Sequence, residues 1–240
     1  MNGNLLIDEL NKLEKRSYDI GNDISHNIAN KHVNDIRFRT FFNLAQVLRS
    51  FKIYFILKEE YLKNREWYVE TYLSKWGQSW PVIGQVIKDY NILNHDFDHV
   101  MLIGYIQVLF SIIDSGFRLF TRTIDPLACN QGTDSFHNIK DWLLKRLNKK
   151  KQYDNLLNLF VLMRNTIHNN GVYLNEKLPR QTISYKGKVY TFENRKVVKY
   201  GSANQLLFFE ITPDIISMLE NIVKSDIIFK GPSIPDPIMP

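Results

Sequence analysis

The stretch from Tyr153 to Asn170 reads YDNLLNLFVLMRNTIHNN, and its spacing decides how the rest of the chain is read. Leu156, Leu159, Phe160, Met163 and Ile167 return at three- and four-residue steps, which puts them on one stripe of a helix turning about 100° per residue. The stripe runs out in a packet of polar side chains: Arg164, Asn165, His168 and Asn169. Arg164 and His168 are four apart, so they lie one turn above each other on a single face, with Asn165 beside them. Gly171 follows two asparagines and suits a left-handed stop after the last turn. His168 then falls in that turn, where the negative end of the helix dipole favours an imidazolium.

The block Arg164-Asn165-Thr166-Ile167-His168-Asn169-Asn170-Gly171 resembles the signature of the HEPN superfamily, helical domains many of which are metal-independent ribonucleases. The resemblance implies that Arg164 holds a scissile phosphate and Asn165 orients it. His168 would move the proton of the 2′-hydroxyl that attacks the neighbouring phosphorus, with Asn169 as a flanking RNA contact. A planar cation suits the charge on a phosphorane and an imidazole titrates near working pH, so no metal or other cofactor is required. The resemblance also implies a homodimer that brings two Arg/His sets into one cleft, a toxin–antitoxin or phage-defence role, and an antitoxin protein as a partner. This chain leaves three residues between the arginine and the histidine, a shorter gap than the family's usual one. That keeps a second class open, a non-catalytic helical module for dimerisation or for binding RNA or nucleotides. A surface cation, capping asparagines and a hydrogen-bonded histidine account for the same letters without any site.

Just upstream, Lys145, Arg146, Lys149, Lys150 and Lys151 form the densest basic cluster of the chain. Such a run is usually a solvated turn. Beside a phosphate-handling face it becomes a candidate RNA-backbone clamp, salt-sensitive and indifferent to sequence. It closes a short helix expected over 136–147, capped by Asp134 and preceded by a loop with Cys129.

Downstream, 182–185 and 188–192 alternate around Lys186-Gly187, and 196–200 and 206–211 are also extended in character. A small antiparallel β-ribbon over about 182–211 is the simplest account, its cations facing solvent. Thr212-Pro213-Asp214 reads as a helix opening with proline in the first turn, followed by a stripe of Ile215, Leu219, Ile222 and Val223. The proline-rich tail 231–240 reads as extended or loose.

Towards the start, Leu6, Leu10, Leu13, Ile20, Ile24 and Ile28 keep a helical beat past Gly21. Asn34 or Asp35 can cap a second helix with the stripe Phe41, Leu44, Leu48, Phe51 and Phe55. Its Arg37, Arg39, Arg49 and Lys52 read as a solvated face. Trp67, Tyr68, Tyr72 and Trp76 fit helix packing better than base stacking, and 77–81 breaks the pattern. Asn94, Asp96 and Asp98 look like starts for a helix to Thr123 that is apolar nearly all round from Val100 to Phe120, hence central. Asp114 is its one interior acid and a candidate partner for Arg164. His95-Asp96-Phe97-Asp98-His99 has the look of a metal box, but aspartate at a helix start is a cap and no second His or Cys cluster stands nearby, so no metal site is assigned.

Apolar residues make up 44% of the 240, enough for a sizeable core and against disorder. Lys and Arg exceed Asp and Glu by 31 to 25, a net charge of +6 that is compatible with a polyanion. The sole cysteine excludes an intrachain disulfide and fits a reducing compartment. Charges arrive too early for a secretory core, and the run 100–113 is shorter than the roughly 20 residues that span a bilayer. A cytoplasmic protein without a membrane segment is expected. One mainly α-helical domain over 1–240 follows, an up-and-down bundle with the ribbon inserted before the C-terminal helix.

Overall fold

A computed structural model of the chain describes residues 3–28, 31–62, 64–67, 70, 83–128, 135–169, 171–198 and 203–235. The aromatic run after Trp67, the break at 77–81, Cys129, Asp134, Asn170 and residues 236–240 lie outside the described residues, as do the side chains of His95, Asp96 and His99.

The fold is mainly helical, with one two-stranded ribbon placed before the last helices. Helix α1 runs over Gly3–Asn27 and α2 over Ile36–Leu57, and the two pack along each other. Gly21 lets them approach: a Cβ there would stand 2.8 Å from the Phe42 ring and 3.3 Å from the Phe41 Cβ. Asp35 is the cap of α2, its carboxylate accepting from the Arg37 N–H at 3.0 Å. A π-helical turn, Lys58–Leu62, ends the α2 segment.

Helix α3, Ile83–Ile124, is one continuous element, so the helix start expected at Asn94, Asp96 or Asp98 falls inside it. Asp98 starts nothing there. It lies inside the helix and accepts from the Tyr54 hydroxyl and the Lys58 ammonium, tying α3 to α2. Burial, reinforced by Asp98, pushes the Tyr54 hydroxyl above its ordinary pKa.

One face of α3 is core: Tyr105, Ile106, Leu109, Ile113, Phe117 and Phe120 are all at most 4% exposed. The expectation of burial all round fails on the opposite face, where Val100 is 61% and Val108 47% exposed beside an open Gly104. This face and α2 form a shallow groove lined by Gln46, Val47 and Ser50. The apolar stretch also extends further than the sequence reading took it. Val100–Ile124 is long and apolar enough to cross a membrane by length and composition, with mean hydropathy 1.7. A buried core helix passes the same test.

Helix α4, Phe136–Arg146, is capped by Ser135 and turns back through 147–149 into α5, Lys150–His168. The ribbon pairs β1, Arg180–Tyr185, with β2, Lys188–Glu193, antiparallel in the register Arg180↔Glu193 to Tyr185↔Lys188. Lys186 and Gly187 both take positive φ, 47° and 74°, as a tight hairpin turn demands. Tyr185 and Phe192 are buried, and the strand cations face solvent in ion pairs.

The ribbon stops at Glu193, and 206–211 is not extended. Helix α6 covers Ala203–Val223 with Pro213 inside it, so proline does not open this helix. An apolar run of that length fits a strand or a buried helix equally well, and tertiary packing decided. Ile211, Ile215, Ile216, Met218, Leu219, Ile222 and Val223 are all fully buried, which outweighs the hydrogen bond that Pro213 cannot give.

A short helix α7, Asp226–Phe229, leads into a C-terminal strap whose described residues, 231–235, run extended and docked, while the rest of the tail expected to be extended or loose lies outside the described residues. Ile234 is 4% exposed, and the Ile36 N–H donates to its carbonyl at 2.9 Å. Arg37 makes the strap's socket. Its side chain is fully buried, not solvated: Nε and Nη2 donate to Asp35 at 2.8 and 2.6 Å, and Nη1 donates to the carbonyls of Ile228, Phe229 and Gly231 at 3.1 to 3.2 Å. Asp35 in turn accepts from the Ile234 N–H.

Candidate functional site

The apolar stripe of α5 forms as its spacing requires. Leu156, Leu157, Leu159, Phe160 and Met163 are at most 5% exposed, and the last two turns carry the polar packet to the surface. Arg164 is half-buried, whereas Asn165 and His168 are exposed. Four residues apart on an unbroken helix, Arg164 and His168 stand with Cβ atoms about 5–6 Å apart.

The guanidinium is held from several sides. Its Nε donates to Gln107 Oε1 of α3 at 3.2 Å, Nη1 donates to Asn165 Oδ1 at 3.1 Å, and its plane-bearing carbon lies 4.8 Å from the centroid of the Phe110 ring. A cation over an aromatic face is attracted by the ring quadrupole. Asp114 is not the partner of Arg164: its carboxylate pairs with Arg118 at 2.8 Å, one turn along its own helix. Gln107 and Phe110 are what sequence reading missed here. A neutral amide and a ring on the most apolar helix gave no sign that they would meet this cation.

The helix end is built as the spacing indicated. The Asn169 N–H donates to the Asn165 and Thr166 carbonyls, the Gly171 N–H donates to the Thr166 carbonyl at 2.9 Å, and Gly171 has φ +84°. The following residues are pinned to the chain returning from the ribbon, with Tyr173 N–H to the Lys196 carbonyl at 3.1 Å and Arg195 N–H to the Tyr173 carbonyl at 2.8 Å. Thus Asn169 and His168 sit on a braced terminus. His168 makes no side-chain hydrogen bond among the described residues.

The basic cluster is at the other end. Lys145 and Arg146 close α4, Asn148 turns the chain with φ 55°, and Lys149 stands at the cap position before α5. At 1.5 Å per residue, Lys150 and Arg164 are about 21 Å apart along the axis. The structure therefore does not bring the clamp residues Lys145, Arg146, Lys149 and Lys150 beside Arg164 and His168.

Within the cluster, Lys150 donates to Asp141 Oδ2 at 2.7 Å. Behind it Lys140, only 1% exposed, donates to Asp154 at 2.8 Å and to Asn158, locking α4 to α5. Burial would raise the Asp141 carboxyl, but Lys150 and Lys140 hold it below the ordinary carboxylate value. Nothing in the local sequence around Lys140 signals this role, which depends on the packing of the two helices.

Among the described residues no group of three or more His, Cys, Asp or Glu side chains is arranged to hold a metal. The arrangement on α5 is thus a fixed planar cation, an amide and an exposed imidazole on one ridge, chemistry suited to a phosphodiester. In comparisons with protein-family models, curated proteins and solved structures, nothing matches this chain.

Proposed function

We propose that this chain is an endoribonuclease of the HEPN type that cleaves without a metal. The observation that carries the reading is the ridge itself: Arg164 fixed by Gln107 and Phe110, with His168 exposed one turn further on and Asn165 between them. Arg164 and Asn165 would hold the phosphate. His168 would take the 2′-hydroxyl proton while O2′ bonds to phosphorus, the P–O5′ bond breaks, and the proton passes to the departing O5′. The products are a 2′,3′-cyclic phosphate and a 5′-hydroxyl. A toxin or phage-defence role, a second copy of the chain, an antitoxin protein and a cytoplasmic location belong to the same proposal.

The experiment is incubation of purified protein with mixed RNA in EDTA, repeated with Arg164→Ala and His168→Ala. Cleavage that persists in EDTA and is lost in both variants supports the reading. Cleavage that EDTA abolishes, or that both variants retain, overturns it. One observation favours the second reading, a non-catalytic module that binds RNA or nucleotides: no described residue orients the His168 ring, as a general base usually requires. RNA binding without any cleavage would decide for that module.

A further inference from the structure

We propose that the turn between α4 and α5 is a separate RNA-backbone anchor, so that productive binding at the Arg164–His168 ridge calls for a strand long enough to reach both. The inference rests on the ribonuclease reading for its ligand class. Its own support is where the unpaired positive charge sits.

Elsewhere, many surface cations have an acid within reach. On the ribbon, Lys188 lies 3.3 Å from Glu210 and Arg195 3.1 Å from Glu176, and on α2 both Arg49 and Lys52 share Glu14. At the turn, Asp141 meets Lys150, and the acid on the other side, Asp154, is already taken by buried Lys140. Lys145, Arg146, Lys149 and Lys151 carry no ion pair among the described residues. Lys145, Arg146 and Lys151 are exposed. Four unpaired cations within seven residues form a field that a polyanion neutralises with release of its counterions.

The length of α5 separates this turn from the ridge. At 100° per residue, Lys151, Asn155, Asn158, Leu162, Asn165 and Asn169 fall within an arc of about 80°; Leu162 is buried and the others are exposed or half-buried. Of the amides on that face, Asn155 donates to the Ser184 carbonyl of β1, Asn158 accepts from Lys140 and Asn165 accepts from Arg164. The acid at its border, Asp154, is matched by Lys140. No unmatched acid of α5 stands between the two to repel a phosphate backbone. The span of about 21 Å corresponds to roughly six phosphates at about 3.4 Å each. Shorter oligonucleotides can touch the ridge or the turn, and not both.

The test uses the full chain, an RNA of about 20 nucleotides and one of about four, and the variant Lys145→Gln/Arg146→Gln/Lys149→Gln/Lys151→Gln, with the corresponding variant carrying arginine at all four positions as a control for folding and charge. Binding is read by fluorescence anisotropy across salt, and cleavage by KM and kcat. Expected is a loss of tenfold or more in affinity for the long RNA, and a salt slope shallower by about 3 for four lost contacts at about 0.7 each. The KM for the long RNA rises with kcat kept, cleavage of the short RNA is unchanged, and the all-arginine variant behaves as wild type. An unchanged salt slope, or an equal loss on both RNAs, overturns the anchor. So does binding to anionic lipid vesicles in place of RNA. The two readings fail separately: RNA binding with the expected slope but no cleavage leaves the anchor and removes the nuclease, whereas cleavage with an unchanged slope does the reverse.

Discussion

Two arginines in this molecule have the same chemistry and opposite fates. Arg37 is wholly buried, with all three guanidinium nitrogens engaged by Asp35 and by carbonyls of the C-terminal strap. Arg164 is half-buried, leans on Phe110 and Gln107, and keeps Nη2 without a hydrogen-bond partner among the described residues. A guanidinium whose donors are all used holds a fold together, whereas one that is positioned with a donor to spare can receive an anion. The difference lies in the surroundings, which neither residue's immediate sequence announces.

The largest effect expected is from Arg37→Ala. Removing the cation leaves Asp35 buried and three carbonyls without their donor, which costs about 3–5 kcal/mol of stability. Thermal or urea unfolding measures it, and a loss under about 1 kcal/mol would contradict the clamp. Arg164→Ala should show the converse: a fall of about 10²–10³ in kcat on RNA with unfolding nearly unchanged. If stability drops as it does for Arg37, the contrast between the two collapses.

Gln107→Ala sharpens the comparison further. It frees Nε of Arg164 without touching the charge, so cleavage should fall by about tenfold, with binding of long RNA retained. Gly171→Ala tests the braced terminus, since φ +84° strains any residue with a Cβ by about 1–2 kcal/mol. Kinetic constants should follow only if the helix end frays.

The smallest effect concerns pH. The Asp141 carboxyl is held below its ordinary value of 3.8, so its contribution is complete above that pH and is lost as pH falls through the lowered value. In acid titrations of unfolding, Asp141→Asn should flatten the low-pH limb by less than about 1 kcal/mol.

Much of the architecture could be read from periodicity. The stripes of α1, α2 and α5, the Asp35 cap, the Lys186-Gly187 turn and the Gly171 stop all rest on local rules, and locally they hold. What failed involved tertiary choices. Arg37 sits on a helix whose charges ordinarily face water, and partners far along the chain drew it inside. Pro213 was taken as a boundary because local rules place it there, yet the stripe of buried residues on both sides of it carried the helix through. The candidate site was half visible. Arg164, Asn165 and His168 needed only helical spacing, but their separation from the basic turn depends on the whole length of α5, and their support by Gln107 and Phe110 depends on how α3 lies across it.

The clamp at Arg37 joins residues made early with acceptors some 190 positions later in the chain. Until 228–234 have emerged and docked, the root of α2 carries an ion pair with half its ligands missing, next to apolar surface that Ile234 will cover. A nascent or clipped polypeptide ending short of Gly231 therefore displays a ready mark of incompleteness to proteases, at the end of α2 opposite the Lys58 turn.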